Sequence, residues 1–234
     1  MALLSKLLDI LCPRTCPMCG GYSDGICEQC LRRLPRTEQV DIAQNGTEMT
    51  LVGMTSDIVG AMKAMRLEKA ASFLAYEKDH PIQRLIHRMK YADPPLIGYQ
   101  LGQQAAKDMQ YAGFFDEIDV IIPIPLHPRR LRERGYNQSE YIAKGIADVT
   151  GLPVDTTHVT RVRNTPQQAL QTGEGRKHNV SDAFEVNHPE QLYKKHILVV
   201  DDLITTGETM RSCLKTMKRF RGAKFTVFAL CKAL

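Results

Sequence analysis

Apolar positions fall into two periods along this chain. Ile82, Leu85, Ile86 and Met89 recur at i, i+3, i+4 and i+7, the stripe of an amphipathic helix, and Pro81 suits its first turn. Arg84, His87, Arg88 and Lys90 fill much of the remaining wheel and read as a solvated basic face. Residues 120–124, 197–200 and 225–230 are instead continuous apolar runs, the sign of strands buried on both faces. A helix is predicted over 138–149, with Asn137 as cap, Glu140 three residues later as in a capping box, and Gly151 and Pro153 past its end. Another follows Gly207 and carries Met210, Cys213, Leu214 and Met217. Strands alternating with helices imply right-handed crossovers and an α/β fold with a mostly parallel central sheet, covered on both faces. Ligands of such sheets bind outside the C-terminal ends of the strands.

Three segments are expected: an N-terminal helix and cysteine module over 1–35, a linker or hood-like segment over 36–80, and the sheet domain over 81–234. In the first, Leu4, Leu7, Leu8 and Leu11 share one helix face and predict docking on the main domain. In the second, the polar stretch 35–50 offers few core candidates. With 234 residues, 43% hydrophobic and 24% charged, the chain is long enough for one sizeable core plus a small module. The formal net charge of +5 favours anionic ligands, at far below the charge density of a protein that coats nucleic acid. No Trp and 6% aromatic residues exclude an extended stacking platform for single-stranded bases, while leaving room for a few. No apolar run reaches the roughly 18 residues a bilayer span needs. Lys6 and Asp9 interrupt the leucine-rich start and no small-residue cleavage site follows, so a cytoplasmic protein is expected.

Five of the seven cysteines crowd near the N-terminus. Without a secretory signal, that usage points to metal binding rather than disulfides. Cys16, Cys19, Cys27 and Cys30 form C-x2-C-x7-C-x2-C, two knuckles able to complete a closed tetrahedral thiolate site, and so a structural Zn2+. Cys12 is a surplus thiol that could replace one ligand. A zinc ion with four thiolates carries a net charge of minus two, which would lower the chain's +5 to about +3. Cys213 and Cys231, at helix and strand positions, read as buried hydrophobes.

The segment Ile197-Leu198-Val199-Val200-Asp201-Asp202-Leu203-Ile204-Thr205-Thr206-Gly207-Glu208-Thr209 is a buried strand that delivers two carboxylates, then a hydroxyl-rich turn into a helix. Paired carboxylates at a strand end can accept charge-assisted hydrogen bonds from the vicinal hydroxyls of a ribose. Residues 205–209 put backbone N–H groups and hydroxyls at a helix N-terminus, where the dipole favours a phosphate, and Gly207 leaves room for close approach. A strand, a loop and the capping box Thr205-x-x-Glu208 would account for Thr205 and Glu208 but not for two adjacent aspartates. The segment resembles the thirteen-residue signature of type I phosphoribosyltransferases. That resemblance implies a site for 5-phosphoribosyl-1-pyrophosphate (PRPP) made of Asp201, Asp202, Thr205, Thr206, Gly207 and Thr209, with Asp201 and Asp202 as the catalytic pair. Glu208 occupies a variable place in the pattern, so its carboxylate is expected to point away from the phosphate.

Pro123-Ile124-Pro125-Leu126-His127-Pro128-Arg129-Arg130-Leu131-Arg132-Glu133-Arg134-Gly135-Tyr136-Asn137-Gln138 is similar to the hallmark of the ComF family of competence-associated, phosphoribosyltransferase-like proteins. The segment 165–184, with Gln167-Gln168-Ala169 and Arg176-Lys177-His178-Asn179-Val180, is similar to that family's mobile loop. The resemblance implies a type I phosphoribosyltransferase fold with a small N-terminal four-cysteine zinc module. It also implies PRPP bound together with Mg2+, the diphosphate lying by Arg129, Arg134, Gly135 and Asn137, and closure of the loop near Arg176. Arginine suits planar, bidentate phosphate contact, whereas Asn137 also serves as a helix cap and His127 reads as a packed loop residue. The family further implies an accessory of DNA uptake that handles single-stranded DNA beside a translocase. The alternative is a metabolic phosphoribosyltransferase of nucleotide synthesis or salvage. No nucleobase pocket is identifiable, so whether transfer to a base or amine occurs stays open. With Ala at residue 2 and no room for a glutaminase domain ahead of the sheet, a glutamine-dependent amidotransferase is not expected.

Overall fold

The apolar runs at 197–200 and 225–230 form the middle of a parallel sheet, as their burial on both faces requires. The computed structural model describes residues 14–37, 67–76, 80–91, 95–164 and 183–233. Its strands are β1 (Leu67–Tyr76), β2 (Val120–Pro123), β3 (Val159–Arg161), β4 (Phe184–Val186), β5 (His196–Ile204) and β6 (Lys224–Ala233). The helices are α1 (Glu28–Arg32), α2 (Ile82–Tyr91), α3 (Leu96–Met109), α4 (Pro128–Arg134), α5 (Gln138–Thr150) and α6 (Glu208–Met217). The main sheet runs β1-β6-β5-β2, every neighbour parallel, with Ile197 opposite both Val120 and Phe225. β3 and β4 pair antiparallel as a separate two-stranded sheet.

Alternation along the strands divides the core in two. Ile197 and Val199 of β5, with Phe225 and Val227 of β6, pack with Met210, Cys213, Leu214 and Met217 of α6 and with Phe184 of β4. Leu198, Val200, Phe228 and Leu230 face the other way, onto the apolar stripes of α2, α3 and α5. Cys16, Ile26 and Leu34 belong to that second cluster, so the cysteine module shares the core of the sheet domain. It is also tied by hydrogen bonds: the Ile26 amide donates to Gln100 Oε1 at 2.9 Å, and Gln100 Nε2 donates to the Asp24 carbonyl at 3.3 Å.

The sequence leaves 36–80 outside the sheet, whereas Leu67–Tyr76 is its edge strand, paired parallel with β6. Glu68, Lys69 and Ser72 break up its apolar residues, as an edge strand exposed along one side permits, so it lacks the continuous run that marks its neighbours. Its outer edge is partly covered, Thr37 N donating to Phe73 O and Ala75 N to Pro35 O, each at 3.0 Å. The proposed N-terminal leucine helix, Cys12, and the loop around Arg176 lie outside the described residues.

Helices α3 and α5 cross at backbone distance. A Cβ on Gly102 would sit 2.2 Å from the Ile142 carbonyl oxygen, and one on Gly145 would sit 2.1 Å from the Tyr99 carbonyl oxygen. Only glycine fits at such a crossing, and it fixes where α5 begins, beside the end of β5. Among the described residues, no helix is long and apolar enough to cross a membrane.

Candidate functional site

β5 carries Asp201 and Asp202 to the C-terminal end of the sheet, where the N-terminus of α5 and the end of α2 meet them. Both aspartates are buried, 8% and 7% exposed. Asp201 Oδ1 accepts from Ser139 Oγ at 3.2 Å and from the Asp202 amide at 2.9 Å. Asp202 Oδ2 accepts from Lys90 Nζ at 2.9 Å and from Gln138 Nε2 at 3.1 Å. Lys90 is itself buried, which corrects its assignment to a solvated basic face. The signal was present in the spacing: Lys90 lies four residues after Ile86 and eight after Ile82, on the apolar stripe itself.

These contacts split the two carboxyls. Burial, reinforced by the charge of Asp202, pushes Asp201 up to about 7. Burial also works against ionised Asp202, but the Lys90 ammonium and the hydrogen bonds from Lys90 and Gln138 outweigh it and hold the group below its ordinary value. Lys90 stays charged because Asp202 outweighs its own desolvation. Arg161 of β3 adds a second positive charge in the field of Asp201, although burial and Arg130 weaken its protonation. No periodicity in a three-residue strand points to that arginine. Gln138 Oε1 is among the buried side-chain atoms of the described residues that have no hydrogen-bond partner.

The turn after β5 does not form the capping box that Thr205 and Glu208 would permit. The N-cap of α6 is Gly207, at φ +73°, and no side chain caps the helix. Thr205 therefore does not cap, and Thr205 and Thr206 are exposed. The left-handed φ explains the glycine, since a Cβ there is disfavoured. Thr209 is half-buried in the first turn of α6. Glu208 pairs with Arg211 on the helix surface.

The arginine-rich segment after β2 forms the short helix α4, with Pro128 at its first turn and His127 as its N-cap, the ring Nδ1 accepting from Arg129 N at 3.2 Å. Gly135 ends it at φ +84°. Arg129 pairs with Glu133 at 2.9 Å, and the Arg134 guanidinium lies over the Tyr91 ring, 5.1 Å from its centre. Asn137 caps α5, its Oδ1 accepting from Ser139 N, while its Nδ2 donates to the Ile124 carbonyl at 3.0 Å. Both ends of that buried amide hold the backbone that joins α4 to α5.

The four module cysteines converge. Their sulfurs lie within 4.8 Å of one another and could hold a metal ion. Cys19 Sγ and Cys27 Sγ are 3.7 Å apart, and a tetrahedral site with metal–sulfur bonds of about 2.3 Å sets neighbouring sulfurs about 3.8 Å apart. Burial raises the Cys16 thiol, yet backbone N–H groups of Cys27, Cys19 and Met18 outweigh it and bring it down to about 6, toward the thiolate a metal requires. Gly20 at φ +76° allows the Cys16 knuckle to close, its N–H donating to the Cys16 carbonyl at 2.9 Å.

Residues 137–234 match the phosphoribosyl transferase domain family, from the cap of α5 to the end of β6. The DNA utilization protein YhgH of Salmonella typhi is 31% identical over 157 residues, covering 66% of this chain and 68% of that protein. The chain belongs to the ComF family. Competence protein F of Haemophilus influenzae is 28% identical to this ComF protein over 158 residues, covering 65% of this chain and 69% of the relative. The solved B. subtilis glutamine PRPP amidotransferase, complexed with ADP and GMP, is 19% identical with a TM-score of 0.41, covering 62% of this chain and 30% of the amidotransferase. A Staphylococcus aureus hypoxanthine phosphoribosyltransferase is 14% identical with a TM-score of 0.36, covering 57% of this chain and 64% of that one. The ComF protein thus has the expected phosphoribosyltransferase domain and mostly parallel sheet, with four close cysteines ahead of them.

Proposed function

We propose that this ComF protein binds PRPP, or a similarly phosphorylated ribose end, at the close of β5, and that it serves DNA uptake by handling single-stranded DNA beside a translocase. The observation that carries the reading is the acidic pair at a parallel strand end, with a short turn leading to a left-handed glycine and a helix N-terminus. Asp201 and Asp202 accept the two ribose hydroxyls, and the orphaned Gln138 Oε1 beside them is an atom that a ligand hydroxyl would satisfy. Thr205, Thr206 and Thr209 with the first amides of α6 take the 5-phosphate, which the helix dipole favours. Arg129 and Arg134 supply positive charge for the diphosphate, on a turn shaped by Gly135 and Asn137. The names of the relatives, a DNA utilization protein and a competence protein, support the DNA-uptake role.

Both site carboxylates are engaged by protein donors, so Mg2+ fits as a companion of the ligand's diphosphate rather than as an ion held by the chain alone. When bound, it supplies charge neutralisation at the diphosphate. Lys90 holds Asp202 ionised, Ser139 orients Asp201, and the two carboxylates then steady the ribose hydroxyls as positive charge develops on the ring. The cysteine set suits structural Zn2+, since four thiolates leave no open position for water.

Calorimetric titration of PRPP with Mg2+ tests the site. Asp201→Asn removes one charge-assisted acceptor and should weaken binding by about 1.5 to 3 kcal/mol, on the order of 10-fold to 100-fold. Unchanged affinity in the folded variant would refute the ribose assignment. Diphosphate release from PRPP across a panel of nucleobases separates the two roles: turnover with one of them would establish the metabolic alternative.

A further inference from the structure

Helix α2 carries Arg84, His87, Arg88 and Lys90 and no acidic residue. Helix α4 carries Arg129, Arg130, Arg132 and Arg134 against one acid, Glu133, which Arg129 already engages. The fold joins these two cationic segments, far apart in sequence, at a single aromatic ring. Tyr91 closes α2 with 57% of its surface exposed. The His87 ring lies 4.9 Å from it, centre to centre, and the Arg134 guanidinium lies over it at 5.1 Å. The Tyr136 hydroxyl, two residues beyond Arg134, donates to the Met89 carbonyl and locks the two segments together. Tyr22 and Tyr111 are more exposed still, but it is Tyr91 that the two cationic segments contact together, through His87 and Arg134.

We propose that Tyr91, braced by His87 and Arg134, is a stacking platform for a base of single-stranded DNA. The proposal rests on the single-stranded-DNA reading above and names the surface that performs it. An exposed ring held in place by a neighbouring imidazole and guanidinium loses little freedom when a base stacks on it, and every base offers a π-face, so recognition is sequence-tolerant. The surrounding arginines complement the phosphates on either side of that base. Lys90, the residue just before it, contacts Asp202, so the platform borders the ribose site. A strand whose phosphorylated end entered that site would pass the tyrosine.

Fluorescence anisotropy at low salt with a labelled oligothymidylate, and with an abasic strand of the same length, tests the platform on the full chain. Tyr91→Ala should weaken oligothymidylate binding by about 5-fold to 150-fold, the range for loss of one base–aromatic stack. Tyr91→Phe should bind like the parent, and the abasic strand should not distinguish parent from Tyr91→Ala. Equal oligothymidylate binding by folded Tyr91→Ala overturns the platform, as does an equal loss on the abasic strand, because the tyrosine would then act on the backbone or the fold. The melting temperature of Tyr91→Ala should match the parent; a large drop would make the effect structural and overturn the proposal as well. No binding of either strand by the parent protein would refute the single-stranded-DNA reading itself, a result separable from the other three.

Discussion

Lys90 and Asp202 hold opposite charges inside the protein, 2.9 Å apart and both largely out of water. Removing one partner leaves the other buried and uncompensated, which costs about 3 to 5 kcal/mol. Lys90→Met and Asp202→Asn should therefore each lower stability by that order in urea denaturation. The double variant should lose much less than the sum, and simple additivity would show that the pair is not coupled. The same logic makes Asp201→Asn a cleaner probe of ligand binding than any variant at Asp202. Asp201 titrates near 7, far above an unfolded aspartate, so the native state holds its proton between about pH 4 and 7 while the unfolded state does not. Stability of the ligand-free protein should consequently fall as pH rises through that window, by a few kcal/mol relative to Asp201→Asn, and level off above it. Ribose binding requires the ionised form, so PRPP affinity should rise over the same window. Comparing the two proteins at each pH cancels the titration of the ligand's own phosphates. Parallel pH profiles for parent and Asp201→Asn would remove Asp201 from the site.

What positions Ser139 and Gln138 over those aspartates is the crossing of α3 and α5. A methyl group on Gly145 meets the Tyr99 carbonyl at 2.1 Å, and backbone cannot swing aside as a side chain can. Alanine gains about 1 kcal/mol over glycine in helix propensity, but forcing the helices apart costs typically 1 to 3 kcal/mol or more and shifts the α5 N-terminus. Gly145→Ala should thus be destabilised and should weaken PRPP binding without touching a binding residue; a variant as stable and as tight as the parent would show that the crossing relaxes freely. Much at this scale was legible in the sequence. The continuous runs gave β2, β5 and β6, and the Asn137 cap with its Gly151 stop gave α5, because each is set by local chemistry. Strand β1 was not, since an edge strand tolerates Glu68, Lys69 and Ser72 and loses the run that marks a central one. Lys90 falls on the apolar stripe by its spacing, but its charge argues for solvent, and only the buried partner 112 residues away decides between the two. The start of α6 after Gly207 was legible, because the turn takes the left-handed conformation that glycine alone adopts at no steric cost.

Across the whole molecule, the cysteine module is the part whose status the structure changes most. Read from sequence it is a small satellite beside one sizeable core. In the fold, Cys16, Ile26 and Leu34 share a core with Leu101 of α3 and Leu198 of β5, and Gly25 lies so close to Gln100 that a Cβ would sit 2.3 Å from its Oε1. A metal ion held by the four converging sulfurs would therefore also organise one wall of the domain core. A ligand bound only by the native state stabilises it by about 4 kcal/mol when free metal stands a thousandfold above its Kd. For a chain of this size each kcal/mol moves the melting temperature by roughly 2 to 4 °C. Removal of zinc with a chelator, or loss of a ligand in Cys30→Ser, should hence lower the melting of the sheet domain by roughly 10 °C, followed through Tyr residues of α2, α3 and α5 by near-ultraviolet circular dichroism. Metal analysis should find one zinc per parent chain. A sheet domain that melts unchanged after verified metal loss would return the module to satellite status, and full zinc occupancy in Cys30→Ser would show that another thiol completes the site.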